Sequence, residues 1–197
     1  MKQHLVIFAH PNHHSFTKAM VNEVVKTSEQ FGVNTVVRNL YALNFNPVLS
    51  KDEMQGVCQG IIPEEVSYEQ KLIQQADLIT LVYPVWWMGY PAILKGYFDR
   101  VLTHGFAYQT SEEGSVGLLQ GKKMQQFINI GNNVVNYQEI GFAQALDVCL
   151  VNGLFNYCGI TDIEHTLFGD LHIISDQERQ AMLQEVGEKT LQNLTAL

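Results

Sequence analysis

The sequence predicts a doubly wound α/β fold, a five-stranded parallel sheet with helices on both faces. Three observations carry this prediction. Runs 5–9 and 78–83 are almost continuously apolar and of strand length, the pattern of parallel strands buried on both sides. Segments with helical spacing alternate with the strand-like runs along the chain. No internal repeat, low-complexity tract or Pro/Ser-rich linker divides residues 1–197, so one domain is expected.

The elements follow in order. Leu5, Val6, Ile7, Phe8 and Ala9 form the first strand, and Ser15 then introduces a helix whose Phe16, Ala19, Met20 and Val24 share a face. Residues 35–37 give the second strand and 78–83 the third. Pro91 suits the first turn of a helix carrying Ile93, Leu94, Tyr97, Phe98, Val101 and Leu102 on one broad face, with Gly105 as its end. A fourth strand spans 124–130, an apolar helix 143–157 and a fifth strand 163–168. Ser175 followed by Glu178 is a capping-box signal for the last helix, whose apolar side holds Met182, Leu183, Val186, Leu191 and Leu194.

Composition excludes several functions. The chain of 197 residues carries a formal net charge of −8, which offers no attraction to phosphate backbones or anionic lipid, so nucleic acid is not an expected partner. The uncharged stretch 78–94 is shorter than the roughly 20 residues of a membrane span and is interrupted by Pro84, Gly89 and Pro91, so no membrane insertion is expected. Cys58, Cys149 and Cys158 form neither a C-x-x-C pair nor an even set, and run 5–9 is too short for a signal peptide; a cytoplasmic location follows as an expectation. No G-x-G-x-x-G, G-x-S-x-G or H-E-x-x-H is present, and residues 117–123 only distantly resemble a phosphate-binding loop. His13 and His14 are adjacent, a poor spacing for one metal, and no metal centre is expected.

In such sheets ligands bind beyond the carboxyl ends of the strands, which directs attention to three loops. The first, 9–17, runs into a helix N-terminus and offers His10, Ser15 and Thr17 where free N–H groups favour a phosphate; Ser15 as a simple cap is the plainer reading. The second, 83–91, concentrates both tryptophans, Trp86 and Trp87, with Tyr83 and Tyr90, and suits either a flat aromatic ligand or a subunit interface. The third, 128–133, places Asn129, Ile130, Gly131 and Asn132 where backbone and amide groups can meet the polar edge of a ring, with Tyr137 shortly after. Together the three loops describe a flavin pocket.

With these residues in place, the chain resembles the NAD(P)H:quinone oxidoreductase family of flavodoxin-like flavoproteins, which includes quinone reductases and the ancillary proteins of potassium-efflux systems. The resemblance is carried by Ala9-His10-Pro11 with Ser15-Phe16, by 40–47, and above all by 84–108, including Pro91-Ala92-Ile93-Leu94-Lys95-Gly96-Tyr97-Phe98-Asp99-Arg100-Val101 and Gly105-Phe106-Ala107-Tyr108. It implies that His10, Ser15, Phe16 and Thr17 hold the phosphate end of FAD, or alternatively of FMN. Pro84, Val85, Trp86, Trp87 and Met88, with Asn129, Ile130, Gly131 and Asn132, would hold the isoalloxazine. Trp87, Met88, Tyr108 and Tyr137 would wall a slot for NAD(P)H and a quinone in turn, with Tyr137 as the catalytic donor near the ring's N1 and O2 edge. It further implies a homodimer and two-electron ping-pong chemistry.

The departures bear on mechanism. The animal quinone reductases place a histidine six residues after that tyrosine, where this chain has Ala143, so the tyrosine–histidine relay is incomplete. Water, Tyr137 alone or slow turnover are the readings left. Thr17 replaces an asparagine, and Gly131-Asn132 replaces paired glycines. A long C-terminal extension is also lacking, which leaves the adenine end of FAD less supported and keeps FMN open. The rival readings are a regulatory partner of a potassium-efflux transporter, an electron carrier, and a flavin-free domain on the same fold.

Overall fold

The computed structural model describes residues 2–197. Its central sheet holds β1 (Gln3–Phe8), β2 (Asn34–Asn39), β3 (Leu78–Pro84), β6 (Lys123–Asn129) and β7 (Asp162–Phe168), and β4 (Tyr108–Ser111) and β5 (Gly114–Gly117) form a separate antiparallel hairpin. The sheet order is β2-β1-β3-β6-β7, with every pairing parallel. Strand order reverses at β1, so the loops after β1 and β3 diverge and open a crevice there. The five expected strands are all present. The hairpin was not anticipated, because four-residue strands carrying Gln, Thr, Ser and Gly lack an apolar signature.

Helices cover both faces. α1 (Phe16–Phe31) starts at Ser15, whose Oγ accepts from the Lys18 N–H at 3.2 Å, and ends at Gly32 in the left-handed region, φ 85°. α8 (Asp176–Thr195) starts at the expected Ser175–Glu178 capping box. α2 (Lys51–Val57) has an equivalent box at Ser50 and Glu53, and α3 (Glu64–Gln75) follows it; both precede β3. α4 (Ala92–Val101) begins after Pro91 but stops short of the expected end: Leu102 turns to φ −83°, ψ 63°. Gly105, at φ 82°, instead directs the chain into β4, its N–H donating to the Tyr108 carbonyl at 2.8 Å.

The expected helix over 143–157 is present as one continuous helical run over 142–157 whose middle widens into a π turn. α5 (Val134–Glu139) and α6 (Phe142–Leu146) are separated by Gly141 at φ 79°, and a widened π turn over Asp147–Asn152 precedes α7 (Gly153–Tyr157). A Cβ at Gly153 would lie 2.1 Å from the Val148 carbonyl oxygen, so the wide turn requires glycine there. The apolar spacing marks the helix, while the π widening within it carries no periodic signal.

Alternation along the strands divides the core. Val6, Phe8, Val82, Phe127 and Phe168 pack with Met20, Val21 and Val24 of α1 and Val186 of α8. Leu5, Ile7, Ile79, Leu81, Met124 and Ile128 belong to the larger opposite cluster with Leu94, Tyr97 and Phe98 of α4. Two of the sequence blocks that carry the family resemblance meet in that layer. Gly96 lies so close to Pro47 that a Cβ would come within 2.1 Å of its carbonyl oxygen. The rings of Phe45 and Tyr97 are 5.2 Å apart, and Arg100 donates to the Asn46 carbonyl at 2.7 Å and to Glu53 at 2.8 Å. Blocks 40–47 and 91–101 thus brace the sheet and fix where β3's loop enters α4.

Candidate flavin-binding site

The carboxyl ends of β1, β3, β6 and β7 surround a cleft of about 180 Å³ lined by His10, Ser15, Phe16, Thr17, Pro84, Trp86, Asn129, Ile130, Gly131, Leu171 and His172. A larger groove, about 660 Å³, runs between the surfaces of α1 and α8 and is lined mostly by Glu, Gln and Lys side chains, without strand-end loops. The smaller cleft lies where a doubly wound sheet places its ligand.

Local turns fix the first loop. Asn12 Oδ1 accepts from the His14 N–H at 2.8 Å, and the Asn12 N–H donates to His10 Nδ1 at 3.0 Å. Since Nδ1 accepts, the proton of a neutral His10 imidazole resides on Nε2 as a donor. Partial burial pushes the His10 pKa below its ordinary value, which favours that neutral form. Ser15 caps the helix, while the N–H groups of Phe16 and Thr17, the first two of α1, have no carbonyl four residues back within the helix. That terminus suits an anion.

Asn129, only 6% exposed, joins the first loop to the third: its Nδ2 donates to Thr17 Oγ1 at 2.8 Å. Its Oδ1 is buried without a hydrogen-bond partner. A buried, unpaired carbonyl oxygen costs about 1–3 kcal/mol, a deficit that a ligand hydroxyl or N–H removes. Farther on, Asn132 Oδ1 accepts from the Asn133 N–H at 2.8 Å, and Asn133 caps α5. Gly131 leaves open space, since nothing lies within 4 Å of a Cβ built there.

The second loop is a two-residue hairpin. The N–H of Trp86 donates to the Gly89 carbonyl and the reverse, each at 3.1 Å, which forces Trp87 and Met88 to φ 52° and 63°. Such turns are usually built with Asn or Gly, and bulky residues in the left-handed region cost on the order of 1 kcal/mol each. Trp87 is 102% exposed, and Trp86 and Met88 are 40% and 43% exposed. The end of the loop is anchored by Tyr90, whose hydroxyl donates to the Leu150 carbonyl in the π turn and whose ring sits 5.0 Å from Tyr83 and 5.1 Å from Phe98. Burial pushes the Tyr90 phenol well above its ordinary pKa.

The cleft therefore brings together nine of the residues singled out in the sequence. Val85, Trp87, Met88 and Asn132 belong to the same loops without lining it. The Val85 N–H donates to the Asn129 carbonyl at 2.7 Å, tying the second and third loops. Tyr108 lies in the hairpin against Tyr157, with ring centroids 5.0 Å apart. Tyr137, half-buried on α5, packs edge-on against Phe142 at 5.6 Å, and its hydroxyl has no hydrogen bond among the described residues. Leu171 and His172 were missed. They follow β7, and only the strand order shows that this loop meets the one after β6.

The donors fit a flavin: a helix N-terminus and His10 for a phosphate, an unpaired Asn129 Oδ1 for a polyol or ring N–H, and aromatic side chains on the strained turn beside them. Among the described residues no helix is long and apolar enough to cross a membrane.

Comparison with known proteins agrees. A family model described as flavodoxin-like fold matches residues 2–190. A Haemophilus influenzae protein named as an uncharacterized NAD(P)H oxidoreductase is 57% identical over 98% of this chain and 96% of its own length. NAD(P)H dehydrogenase [quinone] 1 of Rattus norvegicus is 31% identical over 85% of this chain and 68% of its own. The general stress protein 14 of Treponema denticola, solved in complex with FMN, superposes with a TM-score of 0.69 at 25% identity, covering 98% of each chain. With its strand order, its switch-point cleft and these relatives, the chain belongs to the flavodoxin-like NAD(P)H:quinone oxidoreductase family.

Proposed function

We propose that the protein is a flavin-dependent NAD(P)H:quinone oxidoreductase with FMN as its flavin. The observation that carries the reading is the switch-point cleft in which Asn129 Oδ1 is unpaired beside the open N-terminus of α1. His10, Ser15 and the first N–H groups of α1 would hold the phosphate, and Thr17 and Asn129 the adjoining polar chain. Pro84, Val85, Trp86, Ile130, Gly131 and Asn132 would frame the ring system. FMN is preferred over FAD, reversing the order suggested by the resemblance alone. The cleft is small, and the Treponema denticola structure contains FMN.

When bound, the flavin supplies two-electron redox chemistry; overall, NAD(P)H, one proton and a quinone become NAD(P)⁺ and a hydroquinone. The chain's own part is placement. Trp87, Met88, Tyr108 and Tyr137 would bound a slot that nicotinamide and quinone use in turn, and the free Tyr137 hydroxyl would donate to the ring edge where negative charge accumulates. Ala143, on α6, offers no acceptor for a relay.

A homodimer fits the same surface. Trp87 and, in the segment after β6, Val135, Ile140, Phe142 and Val148 are exposed apolar side chains that a second copy would cover. A visible spectrum tests the central reading. Added FMN should be retained through gel filtration, its visible absorption band should bleach anaerobically with NADPH or NADH, and a simple quinone should restore it. Failure to retain FMN and FAD alike would remove the proposal.

A further inference from the structure

The second loop ends in a residue to which the flavin reading gives no part. Two consecutive bulky residues in the left-handed region, Trp87 and Met88, persist only where the surroundings hold both ends of their turn. The first end is held by the main chain, through the Val85 N–H on the Asn129 carbonyl. The second passes directly into Pro91, which has no N–H to offer, and then into α4. There the hold is the side chain of Tyr90.

Tyr90 belongs to an aromatic column. Its ring stands 5.0 Å from Tyr83 of β3 and 5.1 Å from Phe98 of α4, and Phe98 meets Phe155 of α7 edge-on at 5.4 Å. The column directs the Tyr90 hydroxyl to the helix over 142–157, where it donates to the Leu150 carbonyl. Leu150 lies within the π turn, where the bonding ladder lengthens from four residues to five and a carbonyl becomes available to a donor outside the helix. Gly153 maintains that turn, since a Cβ there would meet the Val148 carbonyl oxygen. The same helix begins at Phe142, whose ring lies edge-on to Tyr137. One hydroxyl therefore joins the turn that carries Trp87 and Met88 to the helix against which Tyr137 packs.

We propose that Tyr90 is a positioning residue that sets the spacing between the two walls of the slot for nicotinamide and quinone. The proposal rests on the quinone oxidoreductase reading above. Tyr90 acts through Trp87, Met88 and Tyr137, and its hydroxyl takes no part in electron transfer. A planar substrate that must lie flat between the walls depends on that spacing. An acceptor that takes electrons without entering between them does not. The flavin itself is held elsewhere, at the α1 N-terminus and Asn129.

The test compares wild type with Tyr90→Phe, which keeps the ring in the column and removes only the hydroxyl. In the flavin-free full-length protein, amide hydrogen exchange should become faster in segments 86–89 and 147–152 together and stay unchanged in α8. Fluorescence titration should show the FMN affinity moving by less than about twofold. FMN-loaded protein reduced with dithionite is then reoxidised by benzoquinone or by ferricyanide, two ions of which each take one electron without stacking. The benzoquinone concentration giving half-maximal rate should rise about tenfold, the worth of one hydrogen bond, while ferricyanide reoxidation keeps its wild-type rate. Equal losses with both acceptors, an unchanged benzoquinone dependence, a parallel loss of FMN affinity, or faster exchange in only one of the two segments would overturn the role of Tyr90 while leaving the flavin reading intact. Wild-type protein that retains no flavin would remove both.

Discussion

Tyr137 carries a half-buried phenol with no hydrogen-bond partner among the described residues, and Ala143 stands where a proton-relay histidine would complete it. Its value should be that of one hydrogen bond to accumulating charge, not that of an acid–base pair. Tyr137→Phe is expected to lower the rate of flavin reduction by about tenfold, well short of the roughly 100-fold or more of a positioned acid–base group. The FMN dissociation constant should not move. Stopped-flow reduction by NADPH measures the first and fluorescence titration the second; an unchanged reduction rate would take Tyr137 out of the mechanism. Residues at this scale were legible where chemistry and chain position coincide. His10, Ser15 and Thr17 sit at a strand–helix junction and Asn129 at a strand end, so the sequence marks them. His172 sits in a loop with no motif, and its relevance depends on β7 lying beside β6, a long-range fact.

The Trp86–Gly89 hairpin shows the same limit for an element. Its composition announced an aromatic loop, but two consecutive left-handed residues are invisible in a Trp-Met pair, because sequence rules reserve that conformation for Gly and Asn. The π turn within the helix over 142–157 is hidden likewise, since Gly153 reads as an ordinary glycine until the Val148 carbonyl is seen. By contrast α1, α4 and α8 were legible from caps and spacing. The strain at Met88 has a testable consequence. Met88→Gly relieves a left-handed side chain and should raise stability by about 0.5–1 kcal/mol in urea unfolding, yet lower quinone turnover by removing a slot wall. Stability and turnover moving together in either direction would show that the strained turn is not retained for function.

Across the molecule, the α1/α8 face of the sheet changes from apolar near the cleft to polar at the strands' opposite end. There His4 of β1 hydrogen bonds Ser28 of α1 at 2.7 Å and Thr80 of β3 at 2.6 Å. Gln125 of β6 donates to Thr80 at 2.8 Å and to Thr190 of α8 at 3.2 Å, and Asn193 of α8 donates to Gln125 at 3.0 Å. This chain of bonds fastens both helices to three strands at the end remote from the site. It was not read from sequence, since His4 stands two residues from the N-terminal Met-Lys and resembles a surface residue. Burial lowers the His4 pKa from 6.5 to about 4. The folded state therefore binds fewer protons than the unfolded chain between those values, and stability must fall as pH decreases through that window. The full cost is on the order of 3 kcal/mol, most of it reached by pH 4.5. Glu53 and Glu178 have pKa values below 4.5, so their contributions are lost mainly at still lower pH. His10, shifted in the same direction as His4 but only partly buried, adds a smaller slope. His4→Gln keeps hydrogen-bonding capacity without a titrating group. Urea unfolding at pH 7, 5.5 and 4.5 should show a steep loss for the wild type and a much flatter one for the variant. Parallel slopes would mean that the acid sensitivity arises elsewhere and that the buried imidazole fastens the helices without making them responsive to pH.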